Sequence, residues 1–143
     1  DTKLWTGDGG TGSLTGLGFS PDMVWFKKRS ETGGHNIYDN VRGVKKLLQP
    51  NTLAADYTSS SSEDIESFDD NGITFDGANY ANTSDKTYVG WFWNAGTATV
   101  TNDASSTGIG SIDSTYRANT DAGFSIVSYT GTGLYRWNKQ RSK

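Results

Sequence analysis

The stretch Thr87-Tyr88-Val89-Gly90-Trp91-Phe92-Trp93 constrains this chain more than any other. A strand sends alternate side chains to opposite faces, so Tyr88, Gly90 and Phe92 share one side and Val89, Trp91 and Trp93 the other. Both sides carry large apolar groups, which calls for a strand covered on two faces. Trp25, Trp91 and Trp93 are accordingly expected in the core, with their indole N–H groups satisfied locally.

The rest of the sequence supplies partners for such a strand. Aromatic residues make up 13% of the chain, glycine occurs 18 times against two prolines, and Thr, Ser and Asn are plentiful. Aromatics and Thr favour pleated surfaces, while Gly and Asn serve the turns between short strands. Strands are predicted at Lys3–Thr6, Met23–Lys28, His35–Asp39, Leu53–Tyr57, Gly72–Asp76, Thr87–Asn94, Thr97–Thr101 and Gly123–Thr130. The run Asp69-Asp70-Asn71-Gly72 between Phe68 and Ile73 reads as a hairpin turn, with Gly72 expected at positive φ. One short helix is predicted near 41–48, where Val44, Leu47 and Leu48 fall on one side and Pro50 ends the run. Ser59–Ser62 and Asn102–Gly110 read as polar loops. The fold class is therefore all-β, an antiparallel β-sandwich of jelly-roll or lectin-like type.

Composition and charge exclude several functions. No apolar run approaches the roughly 20 residues that a membrane-spanning helix needs, so no membrane insertion is expected. The start, Asp1-Thr2-Lys3-Leu4-Trp5, does not read as a signal peptide. With no cysteine and only His35, thiol catalysis, disulfides and multi-histidine metal centres are ruled out within one chain. Residues 1–133 carry a net charge of −7 and residues 134–143 carry +4. So acidic a body is a poor nucleic-acid binder, because phosphate neutralisation needs cations spread over one face. The basic tail 134–143 is expected to be a disordered, solubilising end.

The motifs that suggest chemistry mostly dissolve on inspection. Gly7-Asp8-Gly9-Gly10-Thr11-Gly12 matches G-x-G-x-x-G, but the glycine-broken Ser13–Pro21 that follows cannot be the helix a dinucleotide site requires. His35, Asp39 and Ser30 could be named as a triad, yet no nucleophile-elbow context surrounds them. The carboxylates Asp56, Glu63, Asp64, Glu66, Asp69, Asp70, Asp76 and Asp85 offer no pairing of the kind a glycosidase needs. Calcium is the one cofactor left open, because Asp69, Asp70, Asn71 and Asp76 are hard oxygen donors in loops, as is Asn79. Their spacing fails the EF-hand pattern, and turn service is the simpler reading. Arg42 is expected to latch Asp39 or Asp22 through its guanidinium. Tyr80, with Asn79 and Asn82 beside it, and Tyr116 lie in polar segments without an obvious core. They are the ligand-contact candidates.

Near the two ends the sequence echoes itself. Trp5-Thr6-Gly7-Asp8-Gly9 returns as Tyr129-Thr130-Gly131-Thr132-Gly133, each after a strand-like run. This suggests one unit over 1–122, with 123–133 a terminal strand that begins a next repeat. Such a strand would sit at an edge and leaves self-association open.

Three stretches add a resemblance. They are Leu17-Gly18-Phe19-Ser20-Pro21-Asp22-Met23-Val24-Trp25-Phe26-Lys27-Lys28-Arg29-Ser30, Tyr38-Asp39-Asn40-Val41-Arg42-Gly43 and Tyr88-Val89-Gly90-Trp91-Phe92-Trp93-Asn94-Ala95-Gly96. Followed by Ala118-Asn119 and Ala122–Gly133, they resemble a repeat domain of large virion proteins from marine tailed bacteriophages, of tail-fibre-like or structural type. The resemblance spans 3–133. It implies a non-enzymatic, repeated β domain on a phage particle, with other virion subunits or neighbouring repeats as partners. It carries no catalytic or ligand residues. The chain departs from it after Gly133, where Leu134–Lys143 replaces a further glycine-rich stretch, as an isolated module or truncated form would.

The function expected is thus a virion structural and adhesion module, in a virion or extracellular setting, touching host-surface glycan. A stand-alone carbohydrate-binding module is the alternative, and a glycan-cleaving enzyme the least favoured.

Overall fold

A computed structural model describes residues 1–59, 64–77 and 80–133. The Asn79 candidate, the Ser59–Ser62 loop beyond Ser59, the carboxylate Glu63 and the basic tail lie outside the described residues.

The chain is nearly all β and every pairing is antiparallel. The strands are β1 (Thr2–Thr6), β2 (Gly12–Thr15), β3 (Met23–Lys28), β4 (His35–Asp39), β5 (Gly43–Leu48) and β6 (Tyr57–Thr58). They continue as β7 (Ile65–Asp69), β8 (Gly72–Phe75), β9 (Thr87–Trp93), β10 (Val100–Asn102), β11 (Ser114–Asn119) and β12 (Phe124–Tyr129). A single turn of helix, α1 (Ala104–Thr107), separates β10 from β11. Among the described residues three sheets result, in the orders β1-β9-β3-β4-β5-β6, β2-β8-β7 and β10-β11-β12.

The first two sheets form the sandwich. The six-stranded sheet turns Val24, Phe26, Tyr38, Leu47, Tyr88 and Phe92 inward. The β2-β8-β7 sheet answers with Ile65, Ile73 and Phe75, and Leu14 and Phe68 pack against them. Alternation along β9 decides which aromatics enter: Tyr88 and Phe92 are fully buried, while Val89, Trp91 and Trp93 on the other face are half-buried. Gly90 leaves the space that the Trp5 indole fills, stacked 5.1 Å from Tyr88. Trp25, Trp91 and Trp93 therefore line the face away from the core. The expectation of a core position for them fails because the second sheet covers only one side of the first.

The predicted helix near 41–48 is strand β5. Asp39 Oδ1 accepts from the backbone N–H groups of Val41 (2.9 Å) and Arg42 (2.8 Å), closing a turn, and Gly43 at φ 117° takes the chain out of it. The spacing of Val44 and Leu47 looked helical because the β4–β5 ladder is irregular. Ile37 faces Leu48 while Asp39 faces Gly43, and the extra β5 residues reset the alternation so that both apolar side chains reach the core.

Other boundaries moved too. Leu53–Tyr57 shrinks to β6, with Leu53 fully exposed, and the loop read at Asn102–Gly110 contains α1, capped by the Asp103 carboxylate on the N–H groups of Ser105 and Ser106. The Asp69–Gly72 hairpin is present, but Gly72 is not at positive φ. It is needed for room instead: a Cβ there would stand 1.8 Å from the Leu14 carbonyl oxygen on the neighbouring β2.

Candidate functional site

The third sheet attaches where β9 ends and β3 begins, and one buried carboxylate organises the junction. Asp22, 2% exposed, ends the Gly18–Pro21 turn. Its Oδ1 accepts from Asn40 Nδ2 (3.1 Å) and is ion-paired with Arg117 Nη1 of β11, and its Oδ2 accepts from the Ala95 N–H (2.7 Å). Arg117 Nε also donates to Thr99 Oγ1 at 2.8 Å. Alongside, Phe124 stacks on Trp93 with ring centroids 5.7 Å apart, and Asn119 Nδ2 donates to Asn94 Oδ1 at 2.8 Å. A shallow cleft of about 280 Å³ runs past Phe19, Trp93, Asn94 and Phe124. Its lining is mostly apolar, and the one carboxylate side chain bordering it is that of Asp1.

Farther along the same face of the six-stranded sheet lies a row set by register. Thr2, Trp91, Trp25, Ile37 and Leu48 stand opposite one another on β1, β9, β3, β4 and β5. Trp25 and Trp91 meet edge to face at 6.0 Å and 63°. The Trp25 indole N–H donates to His35 Nδ1 at 3.0 Å. The arrangement is a half-buried aromatic face in which the Trp25 indole N–H is tied to His35. Sequence alternation placed Trp91 opposite Phe92, but could not say which of the two faces a second sheet would cover.

The residues suspected of chemistry are spent on structure. His35 serves Trp25, Asp39 accepts from Arg42 Nε at 2.7 Å, and Ser30 Oγ accepts from the Thr87 N–H at 3.1 Å, so no triad assembles. Arg42 latches Asp39 as expected, while Asp22 takes Arg117 instead. Asp69 accepts from the hydroxyls of Ser67 (2.7 Å) and Thr74 (2.8 Å). Asn71 Oδ1 accepts from the Gly18 N–H at 2.7 Å, Asp76 is paired with Lys45, and Asp70 is exposed at the turn. Among the described residues no three His, Asp or Glu side chains are grouped to hold a metal ion.

The contact candidates separate. Asn82 is 3% exposed and turned inward: its Nδ2 donates to Asp8 Oδ1 and the Gly10 carbonyl, both at 2.7 Å, so it staples the β1–β2 loop rather than facing a ligand. Tyr80 is 39% exposed. Tyr116 stands between Val100 and Val127 in the register of the third sheet, half-buried beside two exposed apolar neighbours. Among the described residues no hydrogen bond or ring contact joins Tyr80 and Tyr116 to each other or to Asn82. Deep in the sandwich, Tyr38 and Asp64 are both fully buried, and burial and the Asp64 charge push the Tyr38 phenol far above its ordinary range.

The chain matches, over residues 1–136, the family model described as "Domain of unknown function (DUF7483)", and it belongs to that family. No curated protein and no solved structure matches it.

Proposed function

We propose that this DUF7483 domain is a non-enzymatic structural and adhesion module of a tail-fibre-like virion protein, with host-surface glycan as its class of contact. One observation carries the reading. The ionisable side chains of Asp8, Asp22, Asp39, Asp69, Asp76 and His35 are each engaged by neighbouring groups, whereas apolar and aromatic groups are left toward solvent. Hydrolysis of a glycoside needs two carboxyl groups facing one space, one of them free to give a proton. A scaffold needs the opposite allocation, with charges holding sheets together and side chains such as Val127, Tyr129 and Tyr80 presented to partners.

The 63° angle between Trp25 and Trp91 ranks a stand-alone carbohydrate-binding module second. A flat pyranose stacks best on coplanar rings, and these two present an edge and a face. Glycan contact is therefore assigned first to the exposed Tyr80 and the half-buried Tyr116. Phage origin rests on the sequence resemblance, and calcium has no part in the reading.

The test has two arms. Wild type, Tyr80→Ala and Tyr116→Ala are applied to a glycan array, and the expected result is weak binding that one tyrosine variant abolishes. Full binding by both variants removes those tyrosines as the contact. The same protein is incubated with a panel of marine polysaccharides, where no reducing sugar should appear. Sugar release that a single Asp or Glu substitution abolishes would overturn the non-enzymatic assignment.

A further inference from the structure

The strand β12 fits two places at once. Among the described residues, in the sheet order β10-β11-β12 it is an edge, paired on one side only, and β1 is likewise the edge of the six-stranded sheet. The two edges carry the same sequence signature, offset by 124 positions: an aromatic near the strand end, then Thr-Gly-x-Gly. The backbone repeats as well, since Gly9 and Gly133 both sit at positive φ, 81° and 68°.

The side chains of the two strands differ in one telling respect. On β1, Lys3 and Trp5 turn inward, and Trp5 packs on Tyr88, Phe75 and Phe26. Their counterparts 124 positions later are Val127 and Tyr129, which are 53% and 65% exposed. Two core-type side chains thus point to solvent on an unpaired edge, the condition under which strands recruit another chain. Gly7 must be glycine here, because a Cβ would come 2.2 Å from the Thr83 carbonyl oxygen. Its counterpart Gly131 has nothing within 4 Å and no positive φ, so nothing within this unit requires a glycine there. A second unit would.

We infer that β12 is also the first strand of a following unit: its free edge takes the β9 strand of a second copy of this domain, and copies join head to tail through that shared strand. The register follows from β1. Asp1 and Phe92 exchange both backbone hydrogen bonds, at 2.8 and 2.9 Å, so by antiparallel alternation Lys3 and Trp5 bond Gly90 and Tyr88. In the shared strand Val127 and Tyr129 face Gly90 and Tyr88 of the second copy, and Tyr129 occupies the place of Trp5. Each unit's β1 position is then flanked by its own β9 and by the preceding unit's β11, and the edge is closed. This goes beyond the virion reading and does not rest on it, since the joint is the same whatever the parent protein does.

A two-unit chain tests it, made of residues 1–133 followed directly by residues 10–143. The second unit lacks its own β1 and has only Phe124–Tyr129 of the first to fill the place. The expected result is that both units fold and that the Val127 and Tyr129 amides exchange at least about 100-fold more slowly than in the 143-residue chain. Gly131→Val, harmless in the 143-residue chain, should unfold the second unit alone. A folded second unit with those amides still fast, or one that tolerates Gly131→Val, overturns the inference. If the two-unit chain does not fold its second unit, the 143-residue chain with Ser125–Gly133 replacing Asp1–Gly9 decides. Retention of its near-ultraviolet circular dichroism supports the equivalence of the strands, and its loss overturns it.

Discussion

Arg117 on β11 is ion-paired with Asp22, 95 positions earlier in the chain, and this pair pins the third sheet to the sandwich. Asp22 is almost wholly buried, and Arg117 keeps only 20% of its side chain exposed, so the charges are poorly screened by water. Arg117→Ala leaves a buried carboxylate with two of its three donors. We expect a loss of about 2–3 kcal/mol, the usual cost of removing a hydrogen bond to a charged group. Trp93 fluorescence should change in the same transition, because Phe124 is released from it. An unchanged urea midpoint would show that the sheet is held by something else.

The Tyr38 phenol predicts the alkaline limit of stability. Burial first, and then the Asp64 charge, raise its pKa in the folded protein far above the ordinary 10.0. Between the unfolded and folded values the native state therefore holds a proton that the unfolded state has lost, and stability falls as pH rises. The contribution is intact below about pH 10 and declines above it. Unfolding free energies measured from pH 8 to 11 should drop more steeply in wild type than in Tyr38→Phe. Parallel slopes would refute the assignment.

Asp8 works at the other end of the scale. The Gly10 N–H and then the Asn82 amide hold its pKa below the ordinary 3.8. Here the unfolded state binds the proton first, so the stabilisation is present above the unfolded pKa and is lost as pH falls through the folded one. Asp8→Asn should lower stability above pH 4, where the carboxylate's contribution is fully present, and flatten the profile below it. Asn82→Ala removes the buried side of the staple and should cost about 1–3 kcal/mol at neutral pH. Acid titrations monitored by circular dichroism check both.

Chelation should leave the protein unchanged. Asp76 is already ion-paired with Lys45, and both Asp69 oxygens accept from hydroxyl donors, so neither offers calcium a vacant oxygen pair. Thermal midpoints in EDTA and in millimolar calcium are expected to agree within a degree. A rise of several degrees with calcium would mean that these oxygens are re-arranged around an ion.

Where the chain carries alternation, its sequence was legible. The limits of β3 and β4 were read to the residue, and those of β9 to within one. β2 and β11 were missed because Gly12-Ser13-Leu14-Thr15 and Ser114–Asn119 hold one large apolar residue each, too few to show a period. β5 was mistaken for helix because its ladder irregularity mimics a spacing of three. The Arg42–Asp39 latch was visible because its partners are three positions apart, whereas Asp22–Arg117 left no local trace.

What the sequence determined alone was local: strand periodicity, turns made by Gly and Asx residues, and the echo between Trp5–Gly9 and Tyr129–Gly133. Those features depend on neighbours within a few positions, whose geometry the backbone itself dictates. Only the tertiary structure decided which face of β9 became core, that Asn82 turns inward, and that Val127 and Tyr129 remain uncovered. Each of these depends on the order in which sheets stack, and that order is set by burial summed over distant segments rather than by any one of them.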